Sequence, residues 1–364
     1  MTKLHRLSAE CGQSPWLDNL RRSSITTGEL VRFIERGIRG ITSNPTIFQK
    51  AISAGDDYDE QFKTLVERHE TIEDAYWGLT VDDVSRALAL LRPVYDGSDG
   101  ADGFVSLELS PALAHDTRAS VADALRLHER INEPNLLVKI PGTTEGVAAV
   151  QAVVAAARSV NVTLIFSLDR YAQVIDAWLS GLEAAEGDLS GVHGVASFFV
   201  SRVDTEVDRR LEALGTEPAL ALRGKAAVAQ AKLAYALFRE RFTGERWEAL
   251  AARGARLQRP LWASTSTKNP AYPETLYVDE LIGPDTVNTM PEPTIEAFER
   301  SGTVARTVDR GVAESQRVIN ELEAAGVDLA DVSRTLEQEG VAAFAKSYDE
   351  LLASLERKAA ELGG

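Results

Sequence analysis

Short apolar runs alternate with longer amphipathic ones along most of the chain. The runs that predict strands are Trp16–Leu20, Gly37–Thr42, Phe104–Leu109 and Asn135–Ile140, then Val160–Phe166, Val192–Val200, Pro260–Thr265 and Thr286–Thr289. Several, such as NLLVKI and VTLIF, are almost continuously apolar, the pattern of parallel strands covered on both faces. The segments between them have helical period. TTGELVRFIERG (Thr26–Gly37) opens on a Thr cap with Glu29 behind it and closes on Gly, as helix ends prefer. DTRASVADALRLHERI, TTEGVAAVQAVVAAARS and SLDRYAQVIDAWLSGLEAAEG precede the fourth, fifth and sixth strands. Two longer gaps, Gln49–Pro93 and Asp204–Arg259, hold extra helical material, and the tail from Thr294 to Gly364 is almost wholly helical by period. DGSDGADG (Asp96–Gly103) reads as a turn before the third strand. There is no flexible linker and no clear internal repeat.

Eight strands with helices between them predict an α/β fold, a single (β/α)8 TIM barrel over residues 1–364, with extra helices and a helical C-terminal tail, about 294–364, packing on it. The competing doubly wound sheet usually carries a glycine-rich phosphate loop after its first strand. Here that turn reads DNLRRSSITTGE, with neither G-x-G-x-x-G nor G-x-x-x-x-G-K-[ST].

Composition narrows the function. With 364 residues, 44% hydrophobic and 26% charged, the chain can bury a sizeable core. Its net charge is 39 − 55 = −16, which opposes nonspecific attraction to nucleic acid or an anionic membrane. The one cysteine, Cys11, excludes an internal disulfide framework and fits a reducing compartment. MTKLHRLSAECGQSPW has no apolar core of a secretory signal, and the most apolar stretch, Val147–Ala157, is too short to span a bilayer. A soluble cytoplasmic protein is the expectation.

A barrel of this kind works at the C-terminal ends of its strands, so the polar residues falling there are the candidates. Asp18 lies in the first strand; Thr42, Ser43 and Asn44 close the second; Glu108 ends the third and Lys139 the fourth. Asn161 and Thr163 share a face of the fifth, and Ser197 and Phe199 share one of the sixth, followed by Arg202. Ser264 ends the seventh, with Ser266 and Lys268 after it. Each has a bland alternative. Lys139 can snorkel to water, Asp18 and Glu108 can cap helices, and Asn44 before Pro45 can be turn chemistry. Phe199 can be core, and Arg202 can pair on the surface with Asp204 or Glu206.

Together they specify a chemistry. Desolvation disfavours an ammonium, and a neutral amine attacks a ketone to form a Schiff base. The iminium is an electron sink that permits cleavage of the carbon–carbon bond beyond the former carbonyl. One carboxylate then takes the β-hydroxyl proton, and a second, acting through water, moves protons during carbinolamine dehydration. Metal-assisted cleavage would need a cluster of ligands. His5, His69, His115, His128 and His193 form neither H-x-H nor H-E-x-x-H, and His193 faces the wrong end of the barrel. Cys11 has no paired base in view.

Two segments carry a resemblance to the transaldolase family: GITSNPTIF (Gly40–Phe48) and LLVKIPGTTEGVAAV (Leu136–Val150). WLDNL, SLELSPALA, NVTLIFSLDRY, ASFFVSRVD, LWAST and TMPEPTIEAF follow the family in order, so the likeness spans nearly the whole chain and is greatest to the longer bacterial branch. The resemblance implies that Lys139 forms the Schiff base, that Asp18 takes the hydroxyl proton, and that Glu108 and Thr163 hold the catalytic water. It places Thr42, Asn44, Asn161 and Ser197 on the substrate hydroxyls, and Arg202 and Ser264 on the phosphate. Many members carry a second phosphate-binding arginine where this chain has Ser266, so Lys268 is expected to supply that charge. The activity implied is transfer of a dihydroxyacetone unit between phosphorylated sugars, with no cofactor and no metal. A fructose 6-phosphate aldolase is the nearest rival; its usual Tyr and Gln are here Phe199 and Glu108. A noncatalytic phosphosugar-binding barrel is the remaining one. Monomer or homodimer stays open, as does whether the C-terminal helices cover the barrel mouth, brace its wall or join subunits.

Overall fold

The computed structural model describes residues 1–53, 55–68 and 70–363. Eight parallel strands close into a barrel in sequential order: β1 (Gln13–Leu17), β2 (Gly40–Thr42), β3 (Phe104–Glu108), β4 (Leu136–Pro141), β5 (Val160–Ile165), β6 (Gly194–Phe199), β7 (Gln258–Ala263) and β8 (Thr286–Met290). Almost every strand residue is buried, because helices cover the outer face and side chains fill the inside. The tail forms helices Glu292–Ser301, Val312–Ala324 and Leu329–Gly363, joined by non-helical segments. The last of these lies against the helices that follow β2 and β6 and against β5, so it crosses the barrel mouth. Among the described residues no helix is long and apolar enough to cross a membrane.

Several strands begin or end away from the predicted positions. β1 runs over Gln13–Leu17 rather than Trp16–Leu20, and β7 over Gln258–Ala263 rather than Pro260–Thr265. Their first residues are polar, and all but the half-buried Arg259 are buried. Gln13 donates from Nε2 to the Leu281 carbonyl (2.7 Å) and to Thr286 Oγ1 (3.0 Å), and Ser14 Oγ donates to Asp102 (2.8 Å). Satisfied polar groups can be buried, but apolar patterning does not reveal them. Asp18 and Ser264 therefore lie one residue beyond β1 and β7 rather than inside them. The Asp18 amide still continues the ladder, donating to the Met290 carbonyl at 2.9 Å.

The Thr26–Gly37 helix is also corrected. It is two helices, Arg22–Thr26 and Glu29–Arg36, split at Gly28 with φ +72°, and no Thr side chain caps the second. Arg22 anchors the first: it is 6% exposed, its Nε donates to Asp83 (2.8 Å) and its guanidinium stacks 4.3 Å from the Tyr58 ring. Gly37, at φ +114°, ends the second helix as expected, so β2 starts only at Gly40.

Candidate active site

Strand register brings three polar side chains together inside the barrel: Glu108 of β3 lies opposite Lys139 of β4, which lies opposite Asn161 of β5. Lys139 is 4% exposed, so it does not snorkel to water. Its Nζ donates to the Ser43 carbonyl at 3.2 Å and stands 3.2 Å from Glu108 Oε2. The second contact is a close approach of charges without hydrogen-bond alignment. Both Glu108 carboxylate oxygens and Thr163 Oγ1 are buried without a hydrogen-bond partner among the described residues. Burial pushes the Glu108 carboxyl up from its ordinary range; the neighbouring Lys139 opposes that rise, and Asp18 adds to it.

Asp18, just beyond β1, lies within the field of the lysine and lines one cavity with it. Burial pushes its carboxyl up as well, against the Thr42 hydroxyl, which donates to Oδ1 at 2.7 Å, and against the fields of Lys139, Arg202 and Lys268. Thr42 Oγ1 is itself 2.6 Å from Thr289 Oγ1. Asn161 is fixed from both sides: its amide donates to Ser106 Oγ (2.9 Å) and its carbonyl accepts from Ser197 Oγ (2.7 Å). Asn44 does two things. Its side-chain oxygen accepts from Ile47 N (3.0 Å), capping the Pro45–Ser53 helix, and it lines the cavity. The turn reading and the site reading of this residue therefore coexist.

Above these groups opens a cavity of about 310 Å³. Asp18, Thr42, Asn44, Lys139 and Ser197 line its inner part. Phe199, Arg202, Ser264 and the exposed Lys268 line the cavity too. Glu108, Asn161 and Thr163 are not on its wall; they lie beneath it, within the packed barrel.

The Arg202 end is suited to an anion. Arg202 opens the Ser201–Leu214 helix, whose N-cap residue, Val200, offers no side-chain acceptor. Two of its first amides are engaged, Ser201 N donating to the Ser264 carbonyl and Val203 N to the Val200 carbonyl (both 3.0 Å), so the positive charge offered there is chiefly that of Arg202. The Arg202 guanidinium lies 5.3 Å from the Phe199 ring centroid and has no carboxylate within ion-pair distance among the described residues. The surface pairs considered for it are otherwise engaged: Asp204 accepts from Tyr277 and from Ala227 N, and Glu206 holds Arg209 and Arg210. Burial strips solvent from the Arg202 guanidinium, which lowers its pKa. Ser264 stands in the left-handed region (φ +57°), with its hydroxyl 2.8 Å from Ser201 Oγ. Such strain in a non-glycine residue concentrates at functional sites. Lys268 is exposed on the rim, on the loop that follows.

Sequence reasoning missed Phe344 and Lys50, which also line the cavity. Lys50 stands just beyond GITSNPTIF, so extending that motif by two residues would have reached it. Phe344 comes from the Leu329–Gly363 helix, and no local pattern tied it to a strand end. The histidines lie apart. His5 is in the N-terminal helix and His115 in an exposed loop. Burial takes the His128 and His193 imidazoles down to about 4, and His193 precedes β6 at the opposite end of the barrel. His69 lies outside the described residues. Among the described residues no three His, Cys, Asp or Glu side chains gather as a metal-binding group. Burial raises the Cys11 thiol pKa.

A profile of the family described as Transaldolase/Fructose-6-phosphate aldolase matches residues 15–355. The chain is 51% identical over 354 residues to a protein named Transaldolase from Thermobifida fusca, covering 96% of each. It is 52% identical to a Transaldolase from Mycolicibacterium smegmatis, covering 96% of this chain and 95% of the relative. It is 50% identical to Transaldolase 1 of Streptomyces avermitilis, covering 96% and 93%. With a closed barrel, an enclosed Lys139 and a match over nearly its whole length, this chain belongs to the transaldolase/fructose-6-phosphate aldolase family.

Proposed function

We propose that the protein is a transaldolase. It moves a dihydroxyacetone unit from sedoheptulose 7-phosphate or fructose 6-phosphate to glyceraldehyde 3-phosphate or erythrose 4-phosphate, in the cytoplasm. The observation that carries the reading is the buried Lys139, 3.2 Å from Glu108 and lining one cavity with Asp18 and with Arg202, which has no carboxylate at ion-pair distance among the described residues.

Lys139 Nζ attacks the ketone carbon. The carbinolamine loses water as protons pass through a water molecule held by Glu108 and Thr163. The three orphaned oxygens support that role, since buried polar atoms of this kind are normally paired to protein or water. Asp18 then takes the proton of the hydroxyl next to the scissile bond. The carbon–carbon bond breaks, its electrons enter the iminium, and an aldose phosphate leaves. The raised pKa of Asp18 suits a general base, since a weaker acid is the stronger base. Asn161, Ser197, Thr42 and Asn44 hold the hydroxyls of the remaining enamine. Arg202, Ser264 and Lys268 take the phosphate of donor and acceptor alike. Phe199 presents no hydroxyl to the cavity, which favours transfer over release.

The test is acceptor dependence. Incubated with fructose 6-phosphate alone, the enzyme is expected to release little product. Added erythrose 4-phosphate should give glyceraldehyde 3-phosphate and sedoheptulose 7-phosphate in equal amounts. Rapid dihydroxyacetone formation without an acceptor would support the aldolase reading instead. No turnover under either condition, in folded protein, would support the binding-protein reading.

A further inference from the structure

The C-terminal helix Leu329–Gly363 carries Phe344 over the barrel mouth, and its placement there is overdetermined. Ser347 Oγ lies 2.8 Å from Thr46 Oγ1, on the helix after β2. Tyr348 donates to Glu73 at 2.8 Å, and Ser333 donates to the Phe166 carbonyl at 3.0 Å. Arg170 meets Glu337 at 3.3 Å, and Arg210 meets Asp331 at 2.8 Å. These ties spread along the helix and reach four different parts of the barrel rim.

The closest approach is at Gly340. A Cβ there would lie 2.8 Å from Leu164 Cδ2. Leu164 is fully buried and has φ +59°, at a bulge where the β5–β6 register shifts. A leucine in the left-handed region is strained. Its residue neighbour is Thr163, one of the orphaned polar groups beneath the cavity. One turn further along, Phe344 is 5% exposed and lines the cavity, with its ring centroid 5.9 Å from Lys139 Nζ.

We propose that Phe344 sets the ratio of transfer to release, by shielding the Lys139 enamine from water entering through the mouth. The inference rests on the transaldolase reading. Release needs one water molecule overall. The nucleophilic enamine carbon takes a proton, giving the iminium. Water adds to the iminium carbon, the carbinolamine collapses, the carbon–nitrogen bond breaks, and dihydroxyacetone leaves as the Lys139 amine returns. Transfer instead uses the same carbon to attack an aldehyde. An apolar ring beside the Schiff base slows protonation by bulk water but leaves the Arg202 end open for an acceptor.

The experiment measures dihydroxyacetone released and sedoheptulose 7-phosphate formed in one reaction, with fructose 6-phosphate and erythrose 4-phosphate. Their ratio does not depend on how much enzyme is folded. Phe344→Ala is expected to raise release over transfer roughly tenfold or more, and Phe344→Leu, which keeps apolar bulk, to stay near the parent. Gly340→Val leaves Phe344 in sequence but forces the helix away from Leu164, so the ratio should rise there too. A ratio in Phe344→Ala equal to the parent's would overturn the proposal. If that variant does not fold, an unchanged ratio in Gly340→Val does so. Absence of transfer by the parent enzyme would instead overturn the transaldolase reading.

Discussion

At the bottom of the barrel charge is paired; at the top it is held apart. Asp102, 4% exposed, accepts from Ser14 Oγ (2.8 Å), Arg39 Nε (2.6 Å), Arg259 Nη2 (3.1 Å) and Trp16 Nε1 (3.4 Å). Two guanidinium groups thus close on one carboxylate. At the top, among the described residues, Asp18 has a single hydroxyl donor, Glu108 has no aligned partner, and Arg202 has no carboxylate at ion-pair distance. Residues at or just beyond β1 contribute to both ends: Ser14 and Trp16 at the bottom, Asp18 at the top. The bottom resembles a structural plug. The top keeps its desolvated charges available to a ligand, at a cost in stability that a saturated arrangement would not incur.

The sharpest test of that contrast substitutes one aspartate at each end. Asp18→Asn is expected to lower kcat/KM roughly 10²- to 10⁴-fold, because it removes the proposed general base. It should also raise the melting temperature at neutral pH. The sign follows from the upward shift: the protonated form is favoured in the folded state, so the stability it brings is present in acid and is lost as pH rises through the native value. At neutral pH the buried carboxylate therefore costs stability, and Asn removes that cost. Asp102→Ala should do the opposite, losing about 3–5 kcal/mol by leaving two guanidinium groups uncompensated, with kcat within a few fold of the parent. Thermal or urea unfolding beside steady-state kinetics reads both. Equal signs for the two stability changes would break the comparison.

The pH profile sharpens it further. With Asp18 raised by burial, the acid limb of kcat/KM should fall above the ordinary aspartate value of about 3.9. A limb at or below that value would contradict the desolvated site. Smaller effects follow at the phosphate end. Arg202→Ala should raise KM for fructose 6-phosphate roughly ten- to a hundredfold, the size of a lost charge-assisted bond. Lys268→Ala, on the exposed rim, should raise it only about twofold to fivefold. An unchanged KM in Lys268→Ala would remove that residue from the phosphate site.

The barrel was legible because its strands are buried on both faces, and parallel strands of that kind read as apolar runs. The residues placed at strand ends share one mouth for the same reason: alternation along β3 to β6 aims Glu108, Lys139, Asn161, Thr163 and Ser197 inward. What patterning hid was polar burial and long-range packing. The starts of β1 and β7 are Gln–Ser and Gln–Arg, polar residues that interrupt the apolar runs, so the predicted strands begin late; Gln13 and Ser14 are buried with hydrogen bonds, Gln258 is buried without a side-chain partner among the described residues, and Arg259 is half-buried beside Asp102. The Asp102 plug joins residues from β1, β7 and two loops, and no short motif marks it. Phe344 reaches the site only because a helix near the end of the chain folds back over the mouth. Its address in sequence says nothing of that. The doubly occupied role of Asn44, cap and cavity wall, was visible as two alternatives that the structure makes compatible.

The most direct test of the central claim is reduction with borohydride in the presence of fructose 6-phosphate, followed by peptide mass spectrometry. Trapping the Schiff base should leave a stable three-carbon adduct on Lys139 and on no other lysine, and Lys139→Ala should carry none. An adduct on a different lysine, or none at all in folded protein that binds the sugar, would contradict the account.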